Sequence, residues 1–383
     1  MPELTEQQIR DGIADHSIAA ITLDTNVFDR YGCSLGFPVL RKLDQFRESD
    51  IDFFLSDIVR NEVTNHIAAE AEETRRILKK AFKDHGRRWV LPAGDRVPGA
   101  GLRLDEDPRL LAGTQMADYI AATGCEVIAP TGANDVTAEV LERYFASQSP
   151  FESTLKKKSE FPDAFALCSL ESHAHHQDIR ILCVSADKGW RDFCAASAHL
   201  VCVTDLESAL SYFNETGAAF ASVVVGLLRE GNTQELIDAV ESALESRLDV
   251  RDFHADGWSS VEFESEPLGA VAQLIRWNTA TPPVVVAADD NVVTFSTRLD
   301  ARVAFDASFS FSIRDAVDQD YVPLGSEEVS IEEEITFEVV ITVARDMDEG
   351  IDVAEAAVVL NAVTVDFGTV EPFQSEDPTH EKY

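Results

Sequence analysis

The first 215 residues alternate short apolar runs with segments of helical periodicity. The apolar runs predict strands at residues 19–23, 51–55, 125–129, 179–184 and 200–203. Apolar positions at helical spacing predict helices near residues 5–14, 37–48, 57–85, 135–147, 162–175 and 205–213. Strands that alternate with helices in this way are typical of βαβ units. We therefore expect an α/β domain with a parallel sheet flanked by helices.

The segment from about residue 86 to 155 departs from this alternation because it is rich in turn-forming residues. These are Pro92, Gly94, Pro98, Gly99, Gly101 and Pro108. We expect part of the segment to be a loop-rich insertion within the first domain. A lid or substrate-binding arm is the alternative to plain loop elaboration, which is favoured.

Beyond residue 250 the period changes from that of a helix to that of a strand. Apolar and polar residues alternate over the fourteen residues 301–314, which predicts a strand with one buried face. Similar alternation runs through residues 335–343 and again through 359–367. The polar residues 289–291 separate two apolar runs, as a hairpin turn would. We expect an antiparallel β-sandwich or meander.

These patterns divide the chain into four parts. We expect an α/β domain over residues 1–215, a helical connector over 216–250, a separate antiparallel all-β domain over 251–370 and a polar tail over 371–383. No apolar run approaches the roughly 20 residues of a membrane span. The first residues also lack the layout of a signal peptide, so we expect a cytoplasmic protein.

The charge of the chain is strongly acidic and unevenly distributed. The formal net charge is −37, of which −12 falls in residues 1–215 and −25 in residues 216–383. Such acidity disfavours non-specific phosphate binding, so any nucleic-acid site must be local and assisted by a metal. The six cysteines form no CxxC pair, and most lie in apolar runs. We expect them to be reduced core residues rather than disulfides or zinc ligands.

Four acidic residues occupy positions that suggest a shared site. Asp24 and Asp187 follow apolar runs, which places them at the carboxyl edge of the sheet, where α/β folds bind ligands. Glu62 lies at the margin of the apolar stripe of its helix, and Asp163 follows Pro162 in a first helical turn. Each residue alone has an ordinary explanation as a turn or capping residue. Together, such carboxylates repel one another unless a hard cation such as Mg²⁺ or Mn²⁺ neutralises them.

The order of these acids resembles that of the PIN-domain nucleases over roughly residues 17–215. The motifs that carry the resemblance are Asp24-Thr25-Asn26 after the first strand and Ser185-Ala186-Asp187 after a late strand. The resemblance implies a five-stranded parallel sheet and metal-dependent cleavage of phosphodiester bonds, which we expect to be in RNA. It also implies that the metal-binding, catalytic acids are Asp24, Glu62, Asp163 and Asp187, with Thr25, Asn26 and Ser185 as their polar neighbours.

Two further features bear on this resemblance. The lysines at residues 156–158 and Phe161-Pro162 resemble a subgroup of PIN-like proteins that carries such residues just before the third acid. The long segment 86–155 departs from the compact toxin-type members, and the β-domain after residue 250 is not part of the PIN fold.

Substrate binding by so acidic a chain requires a local cationic surface. Residues 75–88 hold seven basic residues against one acid. The candidates at helical spacing on the helix that carries Glu62 are Arg76, Lys80, Lys83 and Arg87. Lys157 and Lys158 form a second basic spot close to Asp163. A solvated helix face beside the glutamates of residues 70–73 explains the first group equally well.

Two other functions stay open. One is another acid-cluster fold, such as a phosphatase or a receiver-type domain, in which a single Asp is phosphorylated. The motif at residues 24–26 lacks the second Asp of the haloacid-dehalogenase signature, which counts against this alternative. The other is a non-catalytic PIN-like binding module. The β-domain is expected to regulate, to oligomerise or to bind a protein partner, because long strands expose edges that must be covered.

Overall fold

The structure is a computed structural model that separates into two compact units, residues 1–215 and residues 216–383. It describes residues 4–88, 102–130, 133–151, 159–214, 217–229, 234–248, 253–277, 281–314, 321–346, 351–359 and 363–372. Within these ranges, no helix combines the length and the apolar character needed to cross a membrane.

The first unit is a five-stranded parallel sheet with helices. Its strands are β1 (Ile18–Leu23), β2 (Asp52–Ser56), β3 (Glu126–Ile128), β4 (Arg180–Val184) and β5 (Leu200–Val203). Its helices are α1 (Glu6–Ala14), α2 (Thr25–Arg30), α3 (Pro38–Arg41), α4 (Asp57–Arg88), α5 (Pro108–Thr123), α6 (Ala133–Ala146), α7 (Phe161–Gln177), α8 (Lys188–Ala196) and α9 (Leu206–Ser211). The strand order is β3-β2-β1-β4-β5, and every pairing is parallel. The predicted fold class is confirmed.

The side chains of the central strand β1 are buried on both faces of the sheet. Ile18, Ala20, Ile21 and Leu23 are all fully buried, although alternate side chains of a strand point to opposite faces. Helices therefore cover both faces, as is usual for parallel sheets. The chain runs outward from β1 through β2 to β3, and later returns to place β4 and β5 on the other side of β1. The strand order thus reverses between β1 and β4, where α/β folds form a ligand crevice.

Helix α5 is the main element of this unit that sequence analysis missed. It occupies part of the segment predicted to be a loop-rich insertion. Pro108, taken as a loop signal, is the first residue of the helix, and Asp107 caps it by accepting a hydrogen bond from the Arg109 amide. Strand β3 follows and pairs with β2, so this part of the segment belongs to the sheet. Residues 89–101, which hold most of the loop signals, lie outside the described residues.

The predicted helix at residues 37–48 also differs from the structure. A short α3 begins at Pro38 and passes into a 3₁₀ turn over Lys42–Phe46. Leu40, Leu43 and Phe46 are buried along the two pieces. The apolar spacing that predicted one helix is therefore satisfied by two short ones.

The second unit is an antiparallel sheet with two helices, α10 (Ala218–Arg229) and α11 (Gln234–Arg247). Its strands are β6 (Phe253–Trp258), β7 (Glu262–Trp277), β8 (Val284–Ala288), β9 (Val292–Arg314), β10 (Tyr321–Ala344), β11 (Val353–Val359) and β12 (Val363–Thr369). The main sheet has the order β11-β10-β9-β7, and β8 also pairs with β9. The predicted antiparallel β-region is confirmed. Strands β6 and β12 form a separate parallel pair, which was not predicted.

Strand β9 carries the buried face that its alternation predicted. The buried positions run from Ala301 through Val303, Phe305 and Phe309 to Phe311. The alternation continues to residue 313, but the Ile there is 47% exposed, so the buried face ends before the strand does.

The remaining parts of this unit differ in detail from the sequence-based expectations. The turn at Asp289 is confirmed, since its carboxylate accepts hydrogen bonds from the amides of Asn291 and Val292. The alternation over residues 359–367 belongs to two strands, β11 and β12. Helices α10 and α11, assigned to a connector, contribute side chains such as Val224 and Val240 to the core of this unit.

The end of α5 provides a test of the fold. Gly124 has a φ of +69°, and a Cβ there would lie 2.9 Å from Cγ of Arg47 and 3.2 Å from its Cα. We expect Gly124→Ala to lower the free energy of unfolding by about 1–2 kcal/mol. Gly113 lies within the same helix with nothing within 4 Å, so Gly113→Ala should raise it by about 0.5–1 kcal/mol. Urea unfolding measures both changes in the free energy of unfolding. Equal changes in the two variants would contradict the left-handed conformation of Gly124 at the end of α5.

Candidate functional site

Strands β1 and β4 end side by side at the carboxyl edge of the sheet. Leu23 pairs with Val184, and the amide of Asp24 donates a hydrogen bond to the Val184 carbonyl over 3.0 Å. Asp24 and Ser185 are therefore the first residues beyond two neighbouring strands. This edge is the point at which the strand order reverses.

Asp24 lies deepest in the site, with 4% of its surface exposed. It caps α2, where its Oδ1 accepts a hydrogen bond from the Thr25 amide at 2.6 Å. Its Oδ2 accepts from the Ser185 hydroxyl at 2.6 Å and from Nδ2 of Asn26. Nδ2 of Asn26 also lies 3.1 Å from Oγ of Ser185. The three predicted polar neighbours thus contact this acid or its immediate surroundings.

Glu62 reaches the same edge from helix α4. The hydroxyl of Thr25 donates a hydrogen bond to Oε2 of Glu62 over 2.7 Å. Helix α4 begins directly after β2, and Glu62 lies within its second turn, half-buried. Thr25 therefore links the acid on α4 to the end of β1.

Asp163 and Asp187 are joined through Trp190. Asp187 caps α8, where its Oδ1 accepts hydrogen bonds from the Gly189 amide at 2.6 Å and the Trp190 amide at 3.1 Å. The indole Nε1 of Trp190 donates to Oδ1 of Asp163 over 3.0 Å, and the Trp190 side chain is fully buried. Sequence analysis missed Trp190. The available signal was that a buried indole N–H requires an acceptor.

The four acids act on one another electrostatically. Burial raises the pKa of Asp24 from 3.8 to about 7, and the charges of Asp163 and Asp187 add to that effect, while the hydrogen bond from Ser185 opposes it. Burial also raises the pKa of Asp163 to about 6, with further increases from Asp187 and Glu62 and a decrease from the Trp190 hydrogen bond. The four predicted acids therefore lie near enough to interact electrostatically, although no three of their carboxylates in the described residues have ligand oxygens within 4.8 Å of one another.

The site has no protein countercharge in the part of the chain that the structure describes. None of the four carboxylates forms an ion pair with a described Lys or Arg. Their partners there are hydroxyl, amide and indole groups. Negative charge in such a site is balanced by protons or by a bound cation. Ligands that are all oxygen suit a hard divalent cation.

The predicted substrate-binding residues on α4 differ in their surroundings. Arg76 forms a two-point ion pair with Glu73, and Arg87 lies 3.6 Å from Asp84, so both fit a solvated helix face. Lys80 and Lys83 are exposed. Lys157 and Lys158 lie outside the described residues. Phosphate binding by this group stays a prediction.

Comparison with known proteins identifies the first unit. Residues 21–190 match the family model of the PIN domain, so the N-terminal half of the chain carries a PIN domain. PIN domains are associated with nuclease activity and typically bind divalent metals. No curated protein matches the chain. A solved structure of a nuclear transport factor 2 (NTF2-like) superfamily protein from Salmonella enterica serovar Typhimurium matches at 10% identity, covering 42% of this chain and 99% of that one. Its TM-score of 0.15 is too low to support an argument.

The raised pKa of Asp24 predicts how stability depends on pH. The folded-state pKa of about 7 exceeds the ordinary value of 3.8, so ionisation of Asp24 costs folded-state stability as pH rises between these values. When a chelator keeps the protein free of metal, we expect the melting temperature of the first unit to fall by several degrees as the pH rises from about 4 to about 8. Asp24→Asn cannot ionise at this position and should show a clearly smaller fall, with the remainder coming from Asp163, whose pKa is also raised.

Differential scanning calorimetry measures the effect. Asp192→Asn is the matched control, because Asp192 is an exposed acid on α8 whose ion pair in the structure is with Lys188 rather than with any group of the acid site. This control should keep the wild-type fall. An equal fall in Asp24→Asn would contradict the assignment of the pH dependence to Asp24.

Proposed function

We propose that the PIN domain is a metal-dependent nuclease that hydrolyses phosphodiester bonds, with RNA as its substrate. In this proposal Asp24, Glu62, Asp163 and Asp187 bind Mg²⁺ or Mn²⁺. The observation that carries the proposal is the convergence of four carboxylates at the sheet edge, without a countercharge among the described residues. The PIN-domain match supports it independently, because the matched range contains all four acids.

The residues of this site fit a hard cation. All four candidate ligands are carboxylates, and no imidazole or thiol is hydrogen-bonded to them among the described residues. Burial alone would favour a proton on Asp24, whose pKa is about 7. A divalent cation removes the need for that proton, because it neutralises several carboxylates at once.

The surrounding residues would hold the ligands in place. Thr25 orients Glu62, Ser185 and Asn26 orient Asp24, and Trp190 orients Asp163. These groups are fixed by the ends of β1 and β4 and by the start of α8, which are rigid supports for a metal site. A bound divalent cation lowers the pKa of a water molecule and neutralises charge on the phosphate.

Asp187 is the most exposed of the four acids, while Asp24 is the most buried. The site therefore opens toward solvent on the side of Asp187, and we propose that substrate approaches there. Exposed Lys80 and Lys83, on the helix that carries Glu62, are the candidates for contact with phosphates.

The second unit is proposed to serve in self-association or in binding a protein partner. Its net charge opposes nucleic-acid binding, since residues 216–383 carry −25. Its strands also expose apolar side chains, among them Val271 at 66%, Val322 at 48% and Ile313 at 47%. Val322 and Ile313 are paired neighbours on β10 and β9, and we propose that this exposed apolar pair contacts another protein surface.

Two substitutions test the nuclease. Asp24→Asn and Asp187→Asn should each lower Mn²⁺-dependent cleavage of a fluorescent single-stranded RNA by about 100-fold or more, because each removes a metal ligand. Folding should persist, since each change relieves repulsion among the acids. Asp192→Asn serves again as the control and should cleave normally. Parallel assays with DNA of the same sequence test the preference for RNA.

The outcomes separate the remaining alternatives. Undiminished cleavage in both variants would end the nuclease assignment. Mn²⁺ binding by the wild-type chain without any cleavage of RNA or DNA would favour the non-catalytic binding module instead. Phosphorylation of a single Asp by a phosphodonor would favour the receiver-type alternative.

Trp190 tests the metal ligands without altering a carboxylate. Trp190→Phe keeps an aromatic ring in the core but removes the indole N–H that donates a hydrogen bond to Asp163. We expect Mn²⁺ affinity to fall about 10-fold, because an outer hydrogen bond orients its ligand. Paramagnetic resonance of free Mn²⁺ measures affinity, and circular dichroism checks the fold. Unchanged affinity would show that Asp163 is not a ligand that Trp190 orients.

A further inference from the structure

A second group of ligand-type side chains lies along the contact between α2 and α4. Asp29 comes four residues after Thr25, and His66 comes four residues after Glu62. Oδ1 of Asp29 lies 2.8 Å from Nδ1 of His66, and the Cys33 thiol donates to the same Oδ1 at 3.2 Å. The ligand atoms of Asp29, Cys33 and His66 all lie within 4.8 Å of one another, and no other group of three in the described residues does so.

The chain turn after α2 brings Cys33 into this group. Cys33 has a left-handed φ of +51°, and its amide donates a hydrogen bond to the Phe28 carbonyl over 2.8 Å. The residue is 8% exposed, whereas the side chains of Asp29 and His66 are each 48% exposed. The thiol therefore forms the inner wall of the group, and an ion can reach it from solvent between the other two.

The chemistry of these ligands differs from that of the four acids. Thiolate, imidazole and carboxylate together are a typical ligand set for Zn²⁺, whereas oxygen-only sets suit Mg²⁺ and Mn²⁺. Tetrahedral Zn²⁺, with bonds of about 2.0–2.3 Å, separates its ligand atoms by roughly 3.3–3.6 Å. The two separations from Asp29, 2.8 and 3.2 Å, need to grow by a few tenths of an ångström, and the Cys33 and His66 ligand atoms lie within 4.8 Å of each other.

Binding of a metal by Cys33 would require its thiol to lose a proton. Burial raises the pKa of the thiol to about 12, and its hydrogen bond to Asp29 adds to the increase. The charge of Glu70, one turn after His66 on α4, also raises it. A bound cation would reverse these effects, because metal binding deprotonates a cysteine ligand.

We propose that Asp29, Cys33 and His66 bind Zn²⁺, with Glu70 or water completing the coordination. This site is separate from the four acids and would tie α2 to α4 one helical turn beyond the hydrogen bond between Thr25 and Glu62. Cys33 is a free, buried cysteine, as expected, and the proposal gives it a ligand role in addition. The inference does not depend on nuclease activity.

Co²⁺ provides the test, because a thiolate bound to Co²⁺ gives an intense charge-transfer band in the near ultraviolet that oxygen ligands do not give. The full chain, freed of metal, is titrated with Co²⁺ and then with Zn²⁺. We expect one equivalent of Co²⁺ to produce the band and Zn²⁺ to remove it. Cys33→Ser should abolish the band, and His66→Gln should weaken Co²⁺ affinity by about 10-fold or more.

Two controls and one safeguard make the result decisive. Asp24→Asn and Cys125→Ser should keep the band, because neither residue belongs to the group. Absence of the band in wild-type protein at excess Co²⁺, or its survival in Cys33→Ser, would overturn the proposal. If circular dichroism shows that Cys33→Ser does not fold, variants of the exposed ligands Asp29 and His66 provide the test instead. Unchanged Co²⁺ affinity in both His66→Gln and Asp29→Asn would then overturn it.

Discussion

Burial of the Asp24 carboxylate at the end of β1, with further acids beside it, is the constraint around which the acid site of the first unit is built. The register that pairs Leu23 with Val184 sets Asp24 beside Ser185, and the cap of α8 adds Asp187 to the same edge. Ordinary packing does not require a carboxylate at 4% exposure without a cationic partner. The hydrogen bonds from Ser185 and the Thr25 amide offset only part of the cost, since the pKa of Asp24 stays near 7. The remaining cost is met by a proton on Asp24 or, under the proposed function, by a bound cation.

The contact between helices α2 and α4 begins at the acid site and extends away from the sheet. Thr25 and Glu62 join the two helices at the site, and Asp29 and His66 join them again one turn later. Because residues four apart lie on one helix face, both pairs follow from a single packing geometry. A force that separates the helices at the second contact would also disturb the orientation of Glu62. Stability of the helix pair and geometry of the acid site are in this way linked.

The sequence predicted the parts of the structure that local patterns determine. Apolar runs locate β1 and β4 because parallel strands are buried on both faces, and the acids that follow them meet because carboxyl ends share an edge. Helix α5 was missed because Pro108 signals both a loop and the start of a helix. How helices pack determines the contact between Trp190 and Asp163 and the contact between Asp29 and His66. Spacing along the chain does not encode such contacts.

The two proposed groups of ligands both include residues of the α2–α4 contact but differ in chemical hardness, and this difference determines which ions each would select. Oxygen ligands such as those proposed around Asp24 would bind hard ions weakly enough to exchange, whereas a thiolate and an imidazole bind Zn²⁺ far more tightly than Mg²⁺. Zn²⁺ that entered the acid cluster would compete with Mg²⁺ there, because carboxylates do not exclude it by geometry alone. Under the two proposals, Cys33 and His66 provide the preferred position for Zn²⁺ one helical turn away. The acids are then left to the more abundant hard cation.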